Sequence, residues 1–165
     1  MKKVSTFALV VCISIFASNA YGQKSRVDSV VYFSVSQVDS LLQSGPPEKL
    51  SRLLGRSNDN EAYLVVIRTK PGDVEIHEQF DDVAIIRSGH GILRTGDKVK
   101  GQKECGNAGA REWIGGIIED GHERKLSPGD FLVIPAMLAH QYIPNTGETI
   151  TYWTIKVRRT KTTGH

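Results

Sequence analysis

Short runs of alternating or continuous apolar residues fill the chain from Ala62 to Val157. A-Y-L-V-V-I-R, V-E-I-H, D-V-A-I-I-R, G-I-L-R, W-I-G-G-I-I, R-K-L, F-L-V-I-P, H-Q-Y-I and T-I-T-Y-W-T-I-K-V each read as a strand. Turn-forming residues divide them, in P-G-D, S-G-H-G, T-G-D, E-D-G-H, S-P-G-D and P-N-T-G-E-T. Many short strands at close spacing predict an all-β sandwich or barrel, with no internal repeat and no second domain. Gly96 to Ala110 is the one long polar insert, and the pattern predicts a mobile surface loop or a hairpin extension there.

The lead-in differs. V-V-Y-F-S-V (Val30 to Val35) reads as a strand. Ser36 then caps a short helix, with Asp39 at its third position, and Gly45, Pro46 and Pro47 end it. E-K-L-S-R-L-L-G reads as another short apolar-faced turn or helix. The expected layout is residues 1–22 as a leader, 23–60 as an N-terminal strand-helix extension, 61–158 as a β-barrel and 159–165 as a tail.

The leader rests on Lys2 and Lys3, the apolar run Phe7 to Ala17 and the small residues of S-N-A-Y-G. That run is too short to span a bilayer comfortably, and the pattern is that of a secretory signal peptide cut after Ala20 or Gly22. The expected destination is the periplasm or the exterior, with no membrane attachment after cleavage. Removing the leader takes two of 21 cations and none of the 18 acids. A nearly neutral domain is not a general nucleic-acid binder. The basic run K-V-R-R-T-K (Lys156 to Lys161) reads as a solvated tail after the last strand. Cys105 is the one cysteine outside the leader, which excludes an intramolecular disulfide in the mature chain.

Candidate chemistry concentrates in V-E-I-H-E-Q-F-D-D, Val74 to Asp82. In an extended strand Glu75 and His77 share one face and Val74 and Ile76 the other. A bend at Q-F-D, followed by antiparallel pairing, would return Asp82 to His77. Further on, F-L-V-I-P-A-M-L-A-H-Q is a buried strand that bends at Pro135 and resumes at His140. His140 shares its face with Tyr142, and on a barrel interior it would complete a site with His77 and Asp82. Glu78 and Asp81 are expected to face solvent. His90 and His122 fall in turns, and His165 is terminal. Met137, Tyr142 and Trp153 are candidate pocket residues, with Met137 narrowing the mouth.

These two stretches resemble the two motifs of the cupin superfamily, small jelly-roll barrels that bind a metal inside. Glu75, His77, Asp82 and Gly89 fall where the first motif has its two histidines, glutamate and closing glycine. Gly129, Pro135 and His140 match the second motif, whereas Met137 replaces a glycine and Asn145 lies one place late. The resemblance covers Ala62 to Val157. It implies a jelly-roll barrel holding a divalent ion (Fe, Mn, Zn or Ni) on His77, Asp82, His140 and Glu75, with Glu75 alternatively a general base. It implies an enzyme acting on a small organic molecule, of oxygenase, isomerase or lyase type. The alternative is a non-catalytic module for a small ligand or metal. It also implies pairing of two copies through their sheets.

Overall fold

The computed structural model describes residues 30–44, 51–57, 61–107 and 110–159. Strand alternation governs the architecture. In β4 (Phe80–Ser88), Asp82, Ala84 and Ile86 are buried, while Val83 is half-buried and Ile85 exposed between them and Arg87 beyond them is half-buried. The same period puts Leu64 and Val66 of β2 (Glu61–Arg68) and Tyr152 and Thr154 of β13 (Ile150–Arg158) inside. With β1 (Ser51–Ser57) and β11 (Phe131–Ile134), these form a five-stranded antiparallel sheet in the order β1-β2-β13-β4-β11.

The facing sheet has six strands, in the order β10-β5-β12-β3-β8-β7. They are β3 (Glu75–His77), β5 (Gly91–Gly96), β7 (Lys103–Asn107), β8 (Ala110–Ile114), β10 (His122–Leu126) and β12 (Ala139–Pro144). One core unites the two sheets: Leu64, Val66, Ala84, Ile86, Leu132, Ile134 and Tyr152 from one, Leu93, Leu126 and Tyr142 from the other. Full burial of a side chain such as Ile86 or Leu126 contributes about 1.5–3 kcal/mol. A two-stranded ribbon of β6 (Lys98–Lys100) and β9 (Ile117–Glu119) supplies Ile118 to a second cluster with Val74, Ile76 and Ala139. The two sheets closed on one core are the expected all-β barrel.

Four expectations need correction. Val30 to Ser34 has no regular structure, and helix α1 spans Val35–Ser44. Its cap is Ser34, whose Oγ accepts from Gln37 N–H at 3.2 Å while its own N–H donates to Gln37 Oε1 at 2.8 Å. This reciprocal box outcompetes the expected Ser36–Asp39 pair. The expected stop at Gly45–Pro47 lies outside the described residues. Second, S-R-L-L-G-R-S is β1, paired antiparallel with β2, and a register break between Leu53 and Gly55 blurs its alternation. Third, of the two readings of the polar insert the mobile loop gives way to the hairpin extension: it forms β6 and β7, paired with β9 and β8. Its described residues up to Gly106 are mostly exposed, so few apolar residues announce them. Fourth, the C-terminal basic run is not a tail at its start, since β13 continues to Arg158. The N–H of Arg159 then donates to Gln79 O at 2.7 Å.

Two motif positions carry backbone constraints. Gly89 has φ +78°, and a Cβ there would lie 1.9 Å from Thr149 O. Met137, where the second motif has a glycine, adopts a left-handed conformation (φ 69°), and its N–H donates to His77 O at 2.8 Å. That bond ties the turn after β11 to the strand carrying the histidine.

Candidate metal centre

Register assembles the polar interior. Across β12 and β3, His140 stands opposite Glu75, and across β3 and β8, His77 stands opposite Glu112. These belong to the six-stranded sheet. Across β4 and β13 of the other sheet, Asp82 stands opposite Lys156. Asp82 therefore reaches His77 across the barrel, not through pairing of β3 with β4 as the local sequence suggested. The alternation Tyr152, Thr154, Lys156 points the lysine inward, and its side chain is 13% exposed.

The two imidazoles are oriented alike. His77 Nδ1 lies 3.2 Å from Glu112 Oε1, off the line of a good hydrogen bond, and His140 Nδ1 lies 3.2 Å from Leu138 O. Both Nε2 atoms thus turn toward one point, each 3.6 Å from Asp82 Oδ2. His77 Nε2 is also 3.6 Å from Glu75 Oε2. The ligand atoms of Glu75, His77 and His140 all lie within 4.8 Å of one another. Donors held about 2.1 Å from one tetrahedral ion stand about 3.4 Å apart, so the 3.6 Å from His77 Nε2 to Glu75 Oε2 suits a single ion, and the wider limit of 4.8 Å asks His140 to close in. Two imidazoles and a carboxylate are a donor set for Fe, Mn, Ni or Zn. His140 thus has the oxygen acceptor behind Nδ1 that usually supports a ligating histidine, and Glu112 stands near enough to His77 to give the same on a small rotation.

Asp82 is engaged differently. Lys156 Nζ donates to Asp82 Oδ1 at 2.9 Å and Oδ2 at 3.2 Å, and it lies 2.7 Å from His77 Nε2. Glu75 Oε1 accepts from Arg68 at 2.7 Å, and Arg68 Nε reaches Tyr152 Oη at 3.3 Å. The buried rings of Tyr142 and Tyr152 stack at 4.2 Å. Tyr142 Oη and Thr154 Oγ1 are buried without a hydrogen-bond partner in the same interior.

Charge follows from these contacts. Burial would raise the carboxyl pKa of both acids. For Glu75, His77 and Arg68 outweigh it, and for Asp82, Lys156 and His140 do, so both stay well below the usual range. Burial and Lys156 oppose a charge on His77, but Glu112, Glu75 and Asp82 prevail and raise its pKa to about 9. Two protonated nitrogens cannot face each other at 2.7 Å, so in this arrangement His77 Nε2 accepts from the Lys156 ammonium, against the direction in which the acids push His77. Burial pushes the Tyr142 hydroxyl well above its ordinary pKa, so it remains a donor.

Of the sequence candidates, Glu75, His77, Asp82, His140 and Tyr142 meet in this interior. Met137 and Trp153 lie elsewhere. Met137 is exposed beside a cleft of about 270 Å³ with Ile76, Asp97 and Trp113. Trp153 is half-buried under Arg87, 6.0 Å from its ring centroid, out of phase with the inward-facing Tyr152 and Thr154. A second cleft, about 460 Å³, runs between β10 and β11, and neither cleft is lined by His77 or His140. Sequence reasoning missed Lys156, Glu112 and Arg68. The alternation through β13 could have found Lys156. Nothing local marks Glu112, which reaches His77 through a pairing 35 residues away in sequence. Among the described residues no helix is long and apolar enough to cross a membrane.

No family's sequence model matches the chain, and no curated protein matches it. Solved structures match in fold. A Bacillus halodurans protein is 16% identical, over 81% of this chain and 86% of its own, with a TM-score of 0.52. A cupin 2 conserved barrel domain protein from Rhodopseudomonas palustris is 16% identical, over 67% of this chain and 62% of its own, with a TM-score of 0.45. A cupin-2 domain from Rhodospirillum rubrum is 15% identical, over 67% of this chain and 61% of its own, with a TM-score of 0.46. The chain thus spans less than two thirds of the latter two.

Proposed function

From the premise of a cupin barrel, we propose that this chain binds one divalent transition metal on Glu75, His77 and His140 and acts on a small organic molecule admitted to the barrel. The observation that carries the reading is the shared orientation of the imidazoles, Nδ1 toward an oxygen and Nε2 toward the cluster. When bound, the ion would supply a Lewis acid, or redox chemistry if iron or manganese. The chain supplies the rest. Arg68 fixes Glu75 and keeps it ionised, which makes Glu75 a ligand and a poor general base at neutral pH. Tyr142 Oη and Thr154 Oγ1, buried without partners, are the hydroxyls available to a bound molecule. Export belongs to the same reading, supported by the leader pattern of the first 22 residues.

The test is elemental mass spectrometry of the mature chain purified without chelator, beside a His77→Ala/His140→Ala variant. Near-stoichiometric metal that disappears in the folded variant is the expected result. No metal after reconstitution with iron(II), manganese, nickel and zinc would refute the reading. A second reading, a non-catalytic ligand-binding module, draws support from Lys156, whose ammonium already serves His77 and Asp82.

A further inference from the structure

We propose that Lys156 is a tethered competitor for the metal: its ammonium and a divalent ion claim the same lone pair, His77 Nε2, so that loading the site expels the lysine from it. The inference rests on Glu75, His77 and His140 being the metal ligands. An imidazole nitrogen has one in-plane lone pair, which serves either a donor proton or a metal. In this structure it faces Lys156 Nζ at 2.7 Å. A divalent ion bound there would also meet a positive charge inside the barrel, where low dielectric strengthens the repulsion.

Asp82 gives the lysine somewhere to go. The two residues are direct partners across β13 and β4, and both oxygens of Asp82 already lie within 3.2 Å of Nζ. Lys156 can release His77 and keep its counter-ion. Asp82, which the family pattern would make a ligand, is then the lysine's anchor.

The test is zinc(II) and cobalt(II) affinity, by chelator competition, for wild type, Lys156→Met, Lys156→Arg and the double variant Lys156→Met/Asp82→Asn. The double variant removes both charges and guards against a fold lost to an unpaired Asp82. Lys156→Met and the double variant are expected to bind at least tenfold more tightly than wild type, and Lys156→Arg no more tightly. Equal affinity in wild type and the folded neutral variants overturns the competition and leaves the metal reading standing. Binding in the neutral variants alone upholds the competition and overturns a resident metal in the native chain. Absence of binding throughout overturns both. A second readout is amine labelling followed by peptide mass spectrometry. Zinc should raise labelling of Lys156 in the wild type several-fold, and unchanged labelling with zinc bound would overturn the proposal.

Discussion

The two sheets bring opposite chemistry to one interior. The six-stranded sheet contributes Glu75, His77 and His140, donors whose spare atoms are backed by Arg68, Glu112 and a main-chain carbonyl and whose free atoms converge. The five-stranded sheet contributes Asp82 and Lys156, an ion pair complete in itself. One sheet presents a demand for a cation, and the other presents a cation. A candidate metal site of this kind is therefore not specified by its donors alone, because a single lysine on the facing sheet already occupies one of them.

The largest expected effect comes from breaking the self-sufficient side. Asp82→Ala leaves the Lys156 ammonium, on a side chain only 13% exposed, without its counter-ion and should cost about 3 kcal/mol in urea unfolding of the metal-free protein. Lys156→Met/Asp82→Asn should recover most of that loss. A double variant as unstable as the single would mean the pair is not the unit described.

Next comes the pH dependence of thermal stability, measured in chelator. The folded pKa of His77, about 9, lies above its ordinary 6.5. Its contribution is thus complete below about pH 6.5 and lost as pH rises through 9, and it is reduced by the Lys156 ammonium, which a proton on Nε2 would face at 2.7 Å. Asp82 and Glu75 have folded pKa values below their ordinary 3.8 and 4.5. Their contribution is present above those values and lost as pH falls beneath them. Stability should peak between about pH 5 and 6.5. A profile flat from 6.5 to 9 would show that the acids around His77 hold no proton there.

A smaller effect isolates the donor side. Glu112→Gln should weaken zinc affinity by up to about 10-fold with the fold intact, because Glu112 Oε1 stands 3.2 Å from His77 Nδ1, off the line of a good hydrogen bond. An unchanged affinity would remove Glu112 from the site. Smallest, Met137→Gly should stabilise the protein by about 1 kcal/mol in urea unfolding, since Met137 is exposed and adopts a left-handed conformation that costs a side chain about that much.

The two sides were not equally legible. Glu75 and His77 stand two residues apart on one strand, and His140 follows the bend at Pro135, so local alternation and motif spacing suffice to find them. The barrel itself was legible for the same reason, as a succession of strand-length runs. Lys156 was hidden by its neighbours, because a basic run reads as a solvated terminus unless the period of β13 is carried two residues further. Glu112 and Arg68 depend on pairings and reach across strands, which no window of sequence contains. The cap of α1 was misplaced by two residues because Ser34 and Ser36 both offer a hydroxyl, and only the described backbone distinguishes them. Strand β1 was read as a helix or turn because its bulge breaks the two-residue period.

The stacked rings of Tyr142 and Tyr152 join β12 of one sheet to β13 of the other, 17° from parallel. Two such chromophores at 4.2 Å couple their transition dipoles, and a coupled pair fixed in a chiral interior gives a near-ultraviolet circular dichroism band of its own. Tyr152 lies four residues from Lys156 on the same inward face of β13, and Tyr142 lies two from His140. Any shift of one sheet against the other as the lysine moves would change the angle between the dipoles. The barrel carries an intrinsic optical gauge of the state of its interior, readable without a label.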